Sequence, residues 1–332
     1  MKRITSLAFA ALTCCMACSK SGDKNPGNPN PDNPGNEGVP TIVSVPVLRG
    51  DTTITMGPTT NYAIVMKGLP TIRPVFPKLA LKPKKVRGYV TDASGNPIEG
   101  AELGLLKKVS GFQQLVTTTT NDKGYYEIEF EGVAEFKHAF AVINYVGKPV
   151  PISLFTADSV ASVYTYDKGG VEHWMALSHG TANAADAAHR PWYSNNYFGG
   201  SIYLNWDVYD GPFSTDGALP KNAEIILKLT PAGGMLYDAS RTFTIRQKLG
   251  NNFLSCNINN IPIGIYKIEA KLADGRPLKM EVHGPNRSDT YGLQYDTDTK
   301  AWYVSFVPGF NATSKPMPNR SEWDQANVYV RL

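Results

Sequence analysis

Cysteine nearly disappears from this chain after its first eighteen residues. Of four cysteines in 332 residues, Cys14, Cys15 and Cys18 crowd the start and Cys256 stands alone. With Cys256 the lone cysteine beyond residue 18, no disulfide can join two positions of that later chain. Folding then rests on buried apolar surface, and roughly 290 residues suffice for two or three cores. An excess of one charge is missing too: 33 Lys and Arg face 29 Asp and Glu, and two of the basic residues, Lys2 and Arg3, stand at the very start. The one basic run, Lys82-Pro83-Lys84-Lys85-Val86-Arg87, is short and reads as a solvated linker or strand edge. That balance excludes a nucleic-acid footprint, which needs clustered Lys and Arg. The chain also lacks a His-Glu-x-x-His helix, a Gly-x-Ser-x-Gly elbow and a phosphate-cradling glycine loop, so no cofactor is expected.

The longest uncharged apolar stretch, Ile4 to Met16, is too short to span a hydrocarbon core of about 30 Å. Behind Lys2 and Arg3 it reads as a secretory signal peptide over residues 1–17. Cys15-Met16-Ala17-Cys18 resembles the lipobox of bacterial lipoproteins, although that pattern usually has Leu where Cys15 stands. Leu12-Thr13-Cys14-Cys15 is a rival frame that puts Cys14 where a small residue is expected. The resemblance implies lipidation at Cys18, and Ser19 in place of Asp implies outer-membrane residence on either face. Several acyl chains hold a protein where one holds only marginally. Residues 18–39 come next as an Asn/Pro/Gly-rich flexible linker without large apolar side chains. About 20 residues at about 3.1 Å each would lift the folded part some 60 Å from the membrane.

Beyond Pro40 the pattern is strands, which predicts an all-β chain of two β-sandwiches. Thr41 to Leu48 alternates, and Tyr62 to Met66 is a second short run; Pro70, Pro74, Pro77 and Pro83 exclude long helices from there to Val86. This segment is too thin to fold alone and is expected to add edge strands to the next domain, residues 40–156 in all. Val86 to Ala101 reads as strand, tight turn and returning strand, with Gly95 and Asn96 supplying positive φ. After a variable loop, Asn121-Asp122-Lys123-Gly124-Tyr125 makes a second turn ahead of alternating Tyr126, Ile128 and Phe130. Gly88, Asp92, Gly95, Pro97, Gly100-Ala101 and that turn resemble the carboxypeptidase regulatory-like domain over roughly residues 84–154. The resemblance implies a transthyretin-like seven-stranded sandwich, with Val142 to Gly147 as a loose match to its closing strand. It brings no catalytic residue.

Residues 157–200 break the strand pattern and read as a connecting insertion with a short helix over Ala182 to Ala188. From Ser201 to Leu332 strands return, with turn signals every eight to twelve residues or so. They are expected at 202–209, 224–230, 242–247, 253–258, 265–272, 278–282, 291–295, 302–307 and 328–332. Pro262-Ile263-Gly264-Ile265-Tyr266 resembles the late-strand entry of immunoglobulin-like and fibronectin-like modules.

Site chemistry is sparse. His173, His179 and His189 share one segment with Asp186, but their spacing is not that of a zinc site, and they read as surface histidines on a loop. Asp296-Thr297-Asp298-Thr299-Lys300 is explained by a hairpin turn, and Asp207 and Asp210 around Tyr209 are too few for a calcium loop; no metal site is expected. Cys256 reads as a small core residue within Phe253 to Ile258. Trp192, Tyr193, Tyr197 and Phe198, with Tyr203 and Trp206 nearby, are the candidate ligand-binding residues, because sugars stack their C–H faces on exposed rings. The other reading of these rings is that they fill the junction between the two sandwiches. Asp51-Thr52-Thr53 and Asp158-Ser159-Val160 resemble the O-glycosylation signal of Bacteroidetes envelope proteins. The expectation is a non-catalytic envelope lipoprotein, anchored to the membrane, that binds glycan or an envelope protein. A structural or adhesin-type subunit is the alternative, and a hydrolase with a catalytic domain at residues 201–332 the second.

Overall fold

The computed structural model describes residues 38–332 except 46–47, 68–71, 210–216, 251–252, 283–301, 307–324 and positions 146, 159, 161, 183 and 239. The leader, Cys18 and the linker to residue 37 lie outside the described residues. So do Asp210, Ser159, the Asp296 to Lys300 turn and the strand expected at 291–295. What is described is all-β apart from one short helix and two single 3-10 turns.

Two strands come first, β1 (Asp51–Met56) and β2 (Tyr62–Ile64). The first sandwich then runs through β3 (Lys85–Asp92), β4 (Glu102–Val109), β5 (Phe112–Thr119), β6 (Tyr125–Glu129), β7 (Val133–Tyr145), β8 (Lys148–Ser153) and β9 (Phe155–Thr156). It is completed by β10 (Val163–Thr165), β11 (Gly170–Val171) and β12 (Trp174–Ala176). One sheet has the order β10-β7-β4-β5 with β8 also on β7; the other has β11-β3-β12-β9 with β6 on β3. Val86 and Val90 of β3, Leu103 and Leu105 of β4 and Tyr126 and Ile128 of β6 alternate into the shared core.

Three expectations are corrected here. The strand returning after Gly95 does not pair with β3 as a hairpin. Only an isolated Thr91–Pro97 bridge forms, and β4 crosses to the opposite sheet. Asp92 makes that crossing rigid by accepting the Ser94 and Asn96 amides at 2.8 and 2.9 Å. The variable loop is a hairpin, β4 to β5, turned by Ser110 and Gly111 at φ 48° and 85°, as a two-residue turn requires. Residues 163–176 are not a connection: β10 pairs with β7, and β11 and β12 both run parallel to β3. Gly88 makes that last pairing possible, since a Cβ there would lie 1.6 Å from the Glu172 carbonyl oxygen.

The helix α1 (Ala184–His189) matches the expected helix and leads to the second sandwich. That sandwich contains β13 (Gly200–Trp206), β14 (Val208–Tyr209), β15 (Leu219–Pro220), β16 (Glu224–Gly233) and β17 (Thr242–Lys248). It continues through β18 (Ser255–Ile261), β19 (Gly264–Leu272), β20 (Lys279–Val282), β21 (Trp302–Phe306) and β22 (Ala326–Arg331). Its sheets have the orders β1-β17-β16-β19-β21 and β2-β18-β13-β22-β20. Between them Ile225, Leu227 and Leu229 of β16 meet Ile202, Leu204 and Trp206 of β13 and Cys256 and Ile258 of β18. Cys256 is fully buried, and desolvation pushes its thiol up, which makes it an inert core residue.

The N-terminal strands do not extend the first sandwich. β1 runs parallel to β17, with Asp51 opposite Thr242, and β2 runs parallel to β18, with Ala63 opposite Ile258. Thr41 to Leu48 forms no strand among the described residues. Instead Thr41 and Val43 donate their amides to the Val75 and Ser94 carbonyls. This segment and residues 72–81 cover the outer side of β3: Tyr89 donates to the Gly38 carbonyl at 2.9 Å and buried Arg87 to the Ala80 carbonyl at 3.1 Å.

Candidate functional site

The candidate aromatics divide into two pairs. Trp192 and Tyr193 remain 44% and 47% exposed, whereas Tyr197 and Phe198 are almost completely buried. Chain direction explains the split. After α1 the chain turns through a 3-10 segment at Ser194–Asn196 and drops into the body before β13. Phe198 packs edge-on against Phe155 at 6.3 Å between the sandwiches, in a cluster with Tyr145, Met175, Leu177 and Ile263. A ligand-contacting role for Tyr197 and Phe198 is therefore corrected. Phe198 fills the junction, and Tyr197 supports the loop above it.

That support is specific. Tyr197 donates its hydroxyl to the Pro191 carbonyl at 2.9 Å, and burial pushes this hydroxyl up to about 12, so it stays a donor. Fully buried Asn259 on β18 donates its side-chain amide to the Pro191 and Trp192 carbonyls at 3.3 and 3.1 Å. Buried Asn196 donates to the Arg190 carbonyl at 3.0 Å, and Asn195 donates to the Tyr193 hydroxyl. The two exposed rings thus stand on a backbone fixed from below. Such preorganisation reduces the entropy lost when a ligand binds.

Asn259 links this loop to the sheet β2-β18-β13-β22-β20. The core-facing positions of β13 are Ile202, Leu204 and Trp206, so Ser201, Tyr203 and Asn205 occupy the opposite, outer face. Register places Tyr203 beside Asn257 and Asn327, and Asn205 beside Ser255 and Tyr329. Tyr203 and Ser255 share a hydroxyl–hydroxyl bond of 2.8 Å, and Gln325 donates to Asn257 at 2.9 Å. At the far end a cavity of about 420 Å³ is lined by Asn205, Trp206, Asp207, Leu254, Glu281 and Tyr329. Tyr329 donates to Asp207 at 2.7 Å; burial and that carboxylate push the tyrosine up to about 12. Arg331 donates to Glu281 at 2.7 Å.

Of the three histidines read as surface groups, His189 is exposed, whereas His173 and His179 are not. His179 is buried and His173 half-buried, and desolvation depresses each to about 4. His173 accepts the Tyr89 amide on Nδ1 at 3.1 Å and stacks on Phe76. Among the described residues no three His, Cys, Asp or Glu side chains gather as a metal would need. No described helix is long and apolar enough to cross a membrane.

No protein-family model matches the chain, and no curated protein sequence does. Solved structures give distant similarity. The TIE protein of Bacillus anthracis is 13% identical over 76% of this chain, with a TM-score of 0.28, and this chain spans 34% of its length. A streptococcal ancillary pilin is 12% identical over 74% of this chain, with a TM-score of 0.18, and 62% of it is spanned. A DUF3823 family protein from Bacteroides uniformis is 10% identical over 57% of this chain and 89% of its own, again with a TM-score of 0.18. These superpositions are too loose to carry a role across, and the all-β assignment stands on the sheets of this chain.

Proposed function

We propose that this chain is a non-catalytic envelope lipoprotein, anchored through Cys18, that binds glycan on a platform made by Trp192 and Tyr193. The observation that carries the reading is two large exposed rings on a loop held by Tyr197, Asn196 and Asn259. Exposed rings with fixed backbones are what stacking on sugar requires. The anchor rests on the lipobox-like Cys15 to Cys18 and the Asn/Pro/Gly-rich residues behind it. Mass spectrometry of the mature protein from its host is expected to find an acylated N-terminal Cys18; an unmodified terminus defeats that part of the reading.

A glycan array followed by titration calorimetry tests the platform. Trp192→Ala is expected to weaken a measured affinity at least tenfold, about 1.4 kcal/mol, with the melting temperature unchanged. An unchanged affinity removes the platform. Absence of binding across the array, together with a fixed partner in pull-down, would instead favour an assembly or adhesin-type subunit.

A further inference from the structure

The first sandwich protects its sheet edges, with one exception. β8 carries Pro149 and Pro151, β6 carries Glu127 and Glu129, and β9, β10 and β11 are two or three residues long. Prolines, charges and short length are the devices that keep an edge strand from pairing with another chain. β5 has none of them. Its eight residues, Phe-Gln-Gln-Leu-Val-Thr-Thr-Thr, contain no charge, proline or glycine. Among the described residues it pairs with β4 alone. The register continues to Ala101 opposite Thr120, where the Thr120 amide donates to the Ala101 carbonyl at 3.0 Å. Bonded pairs alternate along an antiparallel ladder. Phe112, Gln114, Val116 and Thr118 therefore bond to β4, while Gln113, Leu115, Thr117 and Thr119 turn their amides and carbonyls outward. The same edge holds exposed apolar side chains, Phe112 at 80% and Leu115 at 44%. Leu115 lies opposite Leu106 of β4, on the sheet face away from the core residues Leu103 and Leu105.

We propose that β5 is a dimerisation edge, at which two copies of this chain join their β10-β7-β4-β5 sheets into one continuous sheet across a two-fold axis. The axis dictates the register. Outward-facing residues must meet outward-facing ones, and overlap is greatest with Val116 opposite Val116 of the second copy. Gln113 then meets Thr119 and Leu115 meets Thr117, so every outward residue of each copy is bonded. No charge opposes a like charge, because the strand has none. The flanking charges match in sign. Lys108 lies beside Gln113 and Glu102 beside Thr119, so the Lys108 row of one copy runs into the Glu102 row of the other. Both already have a partner in their own copy, Glu135 and His138, each at 2.9 Å. Leu106 and Leu115 of the two copies meet diagonally across the axis as one apolar stripe. Phe112 comes to lie opposite Thr120 of the second copy and covers the end of its strand. A foreign strand could satisfy the amides, but only a second β5 must by symmetry repeat the register, the signs and the apolar positions. One strand pair belongs to the small, transient class of interface below about 1,200 Å², so association in the micromolar range is expected. The inference stands apart from the glycan platform, with which β5 shares no residue.

The test is sedimentation equilibrium of the full mature chain from about 1 to about 300 µM, which brackets a micromolar dissociation constant. The expected result is a reversible monomer–dimer equilibrium that stops at two. Thr117→Pro removes an outward amide and leaves the bonds to β4 in place. Leu115→Lys sets like charges diagonally across the axis. Each is expected to weaken the dimer at least about tenfold, while the melting temperature of the dilute monomer moves by only a few degrees. Val116→Cys is expected to form a covalent dimer under mild oxidation, since a non-bonded antiparallel pair has Cα atoms about 4.5 Å apart, within disulfide reach. Thr118→Cys, two residues off the axis, is expected to form none, and the parent chain with its native cysteines is the control. A chain that stays monomeric at the highest concentration overturns the proposal and leaves the edge to a foreign strand. A dimer that survives both edge substitutions, with no cross-link through Val116→Cys, also overturns it, because another surface then makes that dimer. Growth beyond two overturns the closed two-fold pair.

Discussion

Glu172 sits between β11 and β12 with its carboxyl buried, accepting the Tyr164 hydroxyl at 2.5 Å. Its backbone carbonyl accepts the Tyr126 hydroxyl at 2.8 Å, and Trp174 donates its indole N–H to that same hydroxyl at 3.0 Å. Desolvation, with a smaller contribution from Asp158, pushes the acid up from 4.5 to about 8. It is therefore protonated in the folded protein at neutral pH. Its folded value lies above its unfolded value, so its stabilisation is complete below about 4.5 and is lost as pH rises through 8. The window corresponds to on the order of 5 kcal/mol. His173 and His179 act in the opposite sense. Both are depressed from 6.5 to about 4, so their contribution is complete above 6.5 and lost as pH falls through 4. Two histidines outweigh one acid between 4.5 and 6.5, and the acid acts alone from 6.5 to 8. Urea unfolding is expected to show greatest stability near pH 6.5, with a decline toward pH 8 that Glu172→Gln abolishes. A Glu172→Gln protein that keeps the alkaline decline would show that another group titrates there.

At the scale of elements, the sequence announces strands far better than it assigns them to sheets. Alternation places β13, β16, β17, β19 and β20 within about three residues of where they lie, because one face of each strand is buried and a period of two reports that directly. It is silent on pairing. The β1 sequence, DTTITM, alternates equally well for either sandwich, and only the parallel register of Asp51 with Thr242 shows which one it joins. The short β10, β11 and β12, two or three residues each, are too brief for any periodicity, so residues 163–176 read as a connection. The flanks of Ser110-Gly111, Lys107-Lys108-Val109 and Phe112-Gln113-Gln114, mix polar and apolar residues, so the β4–β5 hairpin reads as a variable loop. The candidate site divides in the same way. Trp192 and Tyr193 are legible as large rings in a polar stretch, but Tyr197 and Phe198, a few residues on, share that composition and are buried by the chain turning inward. Tyr203, Asn205 and Asn257 alternate with Ile202, Leu204, Cys256 and Ile258, which is enough to place them on an outer face. Their meeting with Tyr329 depends on a parallel pairing more than a hundred residues away in sequence.

Across the whole described body, the two sandwiches are joined by more than the chain between them. The junction cluster takes Phe155, Met175 and Leu177 from the first and Ile263 from the second, with Phe198 between. Hydrogen bonds cross it as well: Tyr237 donates to the Ala176 carbonyl at 2.8 Å, the Ile263 amide to the Ser178 carbonyl at 3.0 Å, and the Gly180 amide to Asn260 at 2.9 Å. The N-terminal segment reinforces the link, since it packs on β3 through Gly38 and then supplies β1 and β2 to the second sandwich. Two cores coupled in this way are expected to melt as one unit. Phe198→Ala removes a fully buried ring from the coupling surface, which costs about 3–5 kcal/mol. Neither sandwich core includes Phe198, so the loss falls on the junction. Scanning calorimetry is expected to show a single transition for the wild type and two separated transitions for Phe198→Ala, the intrinsic melts of the two cores. Exposed Trp192, six residues away, serves as the control, since its removal leaves the single transition in place. One unsplit transition in Phe198→Ala, displaced or not, would mean that the strands donated by the N-terminal segment hold the sandwiches together without the ring.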